Sequence, residues 1–223
     1  MAHRIEIFTK VNDTRSVVLL NKLKNRGFKV TNAKSVEVYT INKTLTHHEL
    51  NKIADILSNP ITQTCLLDDY AKDVDFDFAL EIGFLPGVTD NIATTAKESI
   101  EDLFKKKFSE EESVHTSQLI FLKGDLSEEK VLEIGNILAN TLIQRIHVKS
   151  HEKFASEKGM DVIVPKVKLE SKTEIMKVNL DIPEEELIKL GKEGILDKTG
   201  ERRGPLALDK ESLNTIKDYF KKE

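Results

Sequence analysis

Apolar positions along this chain follow two periods, helical and alternating, and the order in which the periods occur is itself repeated. Thr46-His47-His48-Glu49-Leu50 opens a stretch with apolar residues at Leu50, Ile53, Ile56 and Leu57, the spacing of one helix face. A second opens 81 residues further on at Ser127-Glu128-Glu129-Lys130-Val131, with Val131, Ile134, Ile137 and Leu138. The correspondence runs past the helix end: Asn59 matches Asn140, Gln63 matches Gln144, and Cys65-Leu66-Leu67 meets Ile146-His147-Val148. Upstream, Val36-Glu37-Val38-Tyr39-Thr40-Ile41 pairs with Ser117-Gln118-Leu119-Ile120-Phe121-Leu122 at the same offset, both with strand character. Arg4-Ile5-Glu6-Ile7 resembles Ala79-Leu80-Glu81-Ile82, but at an offset of 75, which implies six extra residues in the first helix region of the second copy. Insertions of that kind belong at helix ends and loops.

Each copy therefore reads as strand, helix, strand, helix, strand. The elements of the first fall near residues 3–10, 14–26, 35–42, 46–58 and 62–67, with Thr46 as N-cap and Glu49 as its capping-box partner. Those of the second fall near 78–84, 89–106, 117–123, 127–139 and 142–148. A unit of this size covers one face of a three-stranded sheet and is marginal alone. The expected fold is α+β: two tandem βαβαβ units, residues 1–68 and 78–150, in a pseudo-two-fold pair with helices on the sheet faces. An acidic link, 69–77, lies between them.

Residues 151–223 read as a linker region, partly extended, with a polar start at Ser150 to Gly159 and extended runs at 161–165 and 173–180. Helices are expected near 183–191, where Pro183 and three glutamates suit a helix start, and near 209–221 after Asp209. The last carries Leu213, Ile216, Tyr219 and Phe220 on one face, an apolar stripe with no evident cover.

Charge narrows the functions. The charged fraction of 32% is mixed in sign and the net charge is -4, so there is no broad basic field for nucleic acid or anionic lipid. Tryptophan is absent, which weakens any base-stacking reading. Cys65 is the one cysteine, which rules out an internal disulfide and a thiolate-rich metal site and points to a reducing, cytoplasmic setting. No stretch approaches the roughly 18 apolar residues of a membrane span.

Candidate chemistry is sparse. His47 and His48 are neighbours on a helix and point about 100 degrees apart, so they do not chelate as an i, i+4 pair does, and their repeat counterparts are Glu128 and Glu129. Asp73, Asp75 and Asp77 have the opening spacing of a calcium loop, but Phe78 stands where the loop needs glycine and Phe84 where it needs glutamate, so a solvated linker is expected. Leu85-Pro86-Gly87-Val88-Thr89-Asp90 reads as a capped turn, and Arg202-Arg203-Gly204 as a loop or protein contact. No catalytic, cofactor-binding or metal residue is assigned; the candidates for a partner interface are Arg202, Arg203, Gly204, Leu213, Ile216 and Phe220.

The stretch Phe78-Ala79-Leu80-Glu81-Ile82-Gly83-Phe84-Leu85-Pro86-Gly87-Val88-Thr89-Asp90-Asn91 resembles a strand-to-helix turn of phosphoribosylformylglycinamidine synthase. Leu138-Ala139-Asn140-Thr141-Leu142-Ile143-Gln144-Arg145 is similar to the ending of that family's second repeat. Residues 179–187 and 204–220 are similar to the linker before its catalytic core. In that family the large single-chain enzymes begin with a region like two copies of the small PurS subunit.

The resemblance implies a non-catalytic component of an ATP-dependent, glutamine amidotransferase-type ligase of purine biosynthesis. Its partners would be the synthase and glutaminase domains or subunits, with no nucleic acid and no membrane; a homo-oligomer is left open. ATP and magnesium would belong to the complete enzyme and no cofactor to this chain. The Trp-Ser-Glu-His-Cys stretch that follows the linker in the family has no counterpart, so no catalytic residue carries over. The competing expectation is a regulatory metabolite-sensing α/β domain with a ligand at the joint of its two units; a metal hydrolase on His47 and His48 ranks third.

Overall fold

The computed structural model describes residues 2–11, 13–166, 178–196, 200 and 202–221, and its contacts divide the chain into two units, 1–168 and 169–223. The first is α+β. Its elements run β1 (Ala2–Thr9), α1 (Thr14–Asn25), β2 (Val30–Asn42), α2 (His47–Leu57), β3 (Gln63–Leu67), β4 (Phe78–Phe84), α3 (Asn91–Phe104), β5 (Ser113–Gly124), α4 (Glu128–Leu138), β6 (Gln144–Ser150) and α5 (His151–Ser156). The six strands form one sheet in the order β3-β1-β2-β5-β4-β6, every neighbouring pair antiparallel.

The pairing register carries both sequence offsets. Ile5 stands opposite Tyr39 as Leu80 stands opposite Ile120, and Ile5 opposite Leu67 as Leu80 opposite Val148. At the joint of the two half-sheets Glu37 faces Gln118, residues that are themselves 81 apart. Local hydrogen bonds match as well. Thr46 caps α2 in a capping box with Glu49, and Ser127 caps α4. After each helix the asparagine side chain accepts from the backbone two residues on, at Ile61 (2.9 Å) and Leu142 (3.2 Å), while the glutamine accepts from the Asn59 and Asn140 amides at 2.7 and 2.8 Å. These are the turn groups that would otherwise be left without partners at a helix end.

Alternation along the strands separates the two faces. On one face Ile5, Ile7, Tyr39 and Ile41 pack with Leu50 and Ile53 of α2 and with Ala93, Ala96 and Ile100 of α3. Beside them Leu23 of α1 and Val131 and Ile134 of α4 pack on Leu80, Ile82, Ile120 and Leu122. Each cluster thus takes one helix from each half-sheet.

The opposite face corrects two expectations. The link 69–77 is not a solvated tether: Ala71 and Phe76 are buried on Phe8, Val36, Val38, Leu119 and Phe121, while Asp75 and Asp77 pair with Lys123 at 2.8 and 3.1 Å. The polar start of the tail is α5, and its Phe154 is 1% exposed against Phe121 and Phe76 at ring distances of 5.6 and 5.2 Å. One aromatic supplies the burial of α5, and a six-residue helix is too short to display a period. Strand β2 begins at Val30 and β5 at Ser113, earlier than read, because each extends along the other: residues 30–34 pair with 121–124, and 113–116 with 39–42. Sheet hydrogen bonds hold Asn32 and Lys34 there despite their polarity.

The Asp77 carboxylate also accepts from the Gly124 amide at 2.8 Å, which with Lys123 holds its pKa below the ordinary aspartate value. A depressed folded pKa contributes stability above the ordinary carboxylate range, and the contribution disappears as pH falls through the folded value. Asp77→Asn is expected to lower stability by about 1 kcal/mol near neutrality. Parent and variant should converge as pH falls through the folded value, as urea unfolding at neutral and at acid pH will check.

The second unit holds α6 (Glu184–Glu193), β7 (Ile195–Leu196), β8 (Arg202–Arg203) and α7 (Lys210–Phe220), with β7 and β8 paired antiparallel. A Cβ on Gly191 would come 2.2 Å from the Leu208 carbonyl oxygen, so glycine permits this close approach to α6. Leu187 and Leu213 are buried. The extended run read at 173–180 lies outside the described residues as far as 177.

Candidate functional site

The alternation that puts Ile5 and Ile7 beneath the helices turns Arg4 and Glu6 to the other face, where Glu81 meets them. Arg4 is 4% exposed and both glutamates 1%. The Arg4 guanidinium donates to Glu6 through Nε and to Glu81 through Nη2, each at 2.8 Å. The Ser117 hydroxyl donates to Glu81 Oε1 at 2.7 Å, and Arg145 Nη2 lies 3.7 Å from the same oxygen. Burial pushes the Glu6 carboxyl above its ordinary range against the pull of Arg4. Burial opposes the charge on Arg4 too, but Glu81 and Glu6 outweigh it and its pKa is raised. Arg145, desolvated with Glu81 as its anionic neighbour, is lowered.

Two arginines and two glutamates balance in charge, and the network contains no activated nucleophile. Its role is to join β1 to β4 across β2 and β5. Among the described residues, buried Glu6 Oε2 and Arg145 Nε and Nη1 find no hydrogen-bond partner. Arg145 borders a cavity of about 40 Å³ with Thr40, His115 and Ser117, room for a water molecule.

A larger cavity of about 330 Å³ lies on the helix side of the joint, over the Glu37 and Gln118 pair. The first half-sheet and α1 contribute Arg15, Ser35 and Tyr39; the second half contributes Ile82, Phe84, Ile92, Leu138 and Gln144. Arg15 donates to the Glu37 carboxylate, and Gln118 Nε2 donates to Ser35 Oγ at 2.9 Å. Burial raises the Tyr39 phenol, with Glu37 and Asp90 adding to the effect, so it stays a neutral donor at physiological pH. This arrangement can bind and orient a small molecule; it has no base and nucleophile pair for acyl or phosphoryl chemistry.

The candidates read from sequence sit elsewhere, in the second unit. Arg202 and Arg203 form β8 rather than an open loop; Arg202 donates to the Gly194 carbonyl at 3.2 Å and pairs with Glu193 at 3.1 Å. Gly204 has a positive φ of 45 and follows the strand. Leu213, read as part of an uncovered stripe, is 2% exposed and belongs to the unit's own core, where it lies beside Gly191. Ile216 is half-buried and Phe220 is 67% exposed, so the open part of the stripe is the end of α7. His47 and His48 are exposed in the first turn of α2, and the described residues hold no group of His, Cys, Asp or Glu arranged for a metal ion. Among the described residues no helix is long and apolar enough to cross a membrane.

Both sites went unread, although their residues did not. Glu6 and Glu81 served as markers of the repeat, and a charged residue kept at matching places in two apolar strands was the available signal of a buried role. The cavity leaves no comparable trace, since it is assembled from positions that differ between the copies. Comparison with protein-family models and with curated proteins finds no match.

Proposed function

We propose that this chain is a non-catalytic assembly part of a phosphoribosylformylglycinamidine synthase, built of two PurS-like βαβαβ units and the start of a linker. The observation that carries the reading is the register: pairs related by 75 in β1 and β4 and by 81 elsewhere recur across the joint, as two copies of one unit would require. The strand-to-helix turn at 78–91 and the helix ending at 138–145 add the family resemblance. In this reading the module holds synthase and glutaminase parts together so that ammonia passes between them without loss to water, an effect of proximity. ATP and magnesium are handled by the synthase part.

Reconstitution with the synthase and glutaminase of the same source tests this. Omitting the chain should lower glutamine-driven turnover on the order of tenfold or more, while ammonia-driven turnover changes by less than about twofold. Equal dependence of the two activities, or no dependence of either, would overturn the proposal.

A further inference from the structure

We infer that the cavity over the β2 and β5 joint is a binding site for a small zwitterion, an α-amino acid with an uncharged side chain. The assignment is independent of the docking role proposed above. A volume of about 330 Å³ falls at the lower end of small-molecule pockets and suits a ligand of metabolite size.

The two ends of the cavity differ, although matched elements build them. Asp13 and Asp90 cap α1 and α3, which makes Arg15 and Ile92 equivalent positions two residues into each helix. One is a cation and the other an apolar side chain left 61% exposed. Glu37 and Gln118 are likewise equivalent across the joint, one charged and one neutral. The ionic groups therefore collect on the Arg15 and Glu37 side, while Ile82, Phe84, Ile92 and Leu138 line the other. A symmetric ligand would not need this division; a molecule with an ionic head and an uncharged tail matches it.

The ionic end has the chemistry of an amino-acid head group. Arg15 and Glu37 already touch, so their charges are as close together as the carboxylate and ammonium on one α-carbon. The guanidinium has five donors and uses Nε and Nη1 on Asp13 and Glu37, leaving Nη2 for a ligand carboxylate. The Glu37 carboxylate retains lone pairs for an ammonium. Elsewhere in the lining, the Tyr39 hydroxyl, Gln118 Oε1 and Gln144 Nε2 make no hydrogen bond to described residues and can meet a polar atom of the side chain. The apolar end, with Ile92 its most exposed member, is covered when the tail is seated.

Calorimetric titration of the full chain with L-leucine, L-methionine, L-phenylalanine and L-glutamine tests the site, with N-acetyl-L-leucine and L-leucinamide as blocked forms. At least one free amino acid is expected to bind, and each blocked form to bind about tenfold or more weakly than free leucine if leucine is the ligand, or its own blocked derivatives likewise for another. Arg15→Gln and Glu37→Gln should each weaken binding by about tenfold or more, and both positions are exposed enough that the thermal unfolding of the variants should match the parent. No binding by any of the four up to about 10 mM would overturn the inference. So would blocked ligands or either variant binding as well as the free and parent forms.

Discussion

Replacing Glu81 by leucine is expected to cost the first unit about 3–5 kcal/mol, the range for breaking a buried ion pair by removing one partner. Glu81 stands between two guanidiniums: Arg4 donates to it at 2.8 Å, and Arg145 lies 3.7 Å away. Its loss leaves Arg145 with no near anion among the described residues and Arg4 with Glu6 alone, where burial weakens screening by water. Urea unfolding followed by far-ultraviolet circular dichroism should show a lower midpoint with an unchanged slope. Glu81→Gln keeps the shape and the Ser117 contact and should still be strongly destabilised, which separates charge from volume. Adding Arg145→Met to Glu81→Leu should recover part of the loss, because it removes the guanidinium left without its anion, with a coupling energy of about 1 kcal/mol or more. A Glu81→Leu protein within about 0.5 kcal/mol of the parent would show that the network contributes nothing of this kind.

Phe154→Ala is expected to cost about 3–5 kcal/mol, as deletions of buried phenylalanine do. The ring sits among Phe76, Phe121 and Tyr70, with centroids 5.2, 5.6 and 5.9 Å away, and closes the face that the helices leave open. Its removal takes contacts from α5 and from the 69–77 segment together, so limited proteolysis should cut that segment faster in the variant. Phe154→Leu should lose less, since most of the volume remains. A loss under about 1 kcal/mol for the alanine variant would mean that the face is covered without α5.

Much of the helix side was readable because it rests on short-range patterns. Leu50, Ile53, Val131 and Ile134 have helical spacing, and each proves fully buried. The caps at Thr46, Ser127 and Asp209 obey local hydrogen-bond chemistry, which a few residues suffice to state. The other face was misread because its cover comes from irregular chain. Phe76 lies among aspartates and Phe154 among lysine and glutamate, so composition points to solvent while a single ring points inward. Arg4 and Lys149 show the same limit. Lys149 is 1% exposed, its ammonium held by the Gly159 carbonyl at 2.8 Å, Asp161 at 2.9 Å and Glu157 at 2.7 Å. Those partners follow Lys149 by 8 to 12 residues, and only the turn after α5 brings them back.

The interleaving of helices across the joint bears on how the first unit comes apart. Fraying of β3 or β6, the outer strands, leaves most of the buried layer in place. Separation of β2 from β5 removes from Leu23 the strand residues contributed by the far half, and from Ala96 and Ile100 those of β1 and β2, in a single event. Melting of the first unit is therefore expected to be all-or-none, with amide protons along the β2 and β5 ladder exchanging only through that global opening, as native-state hydrogen exchange will check.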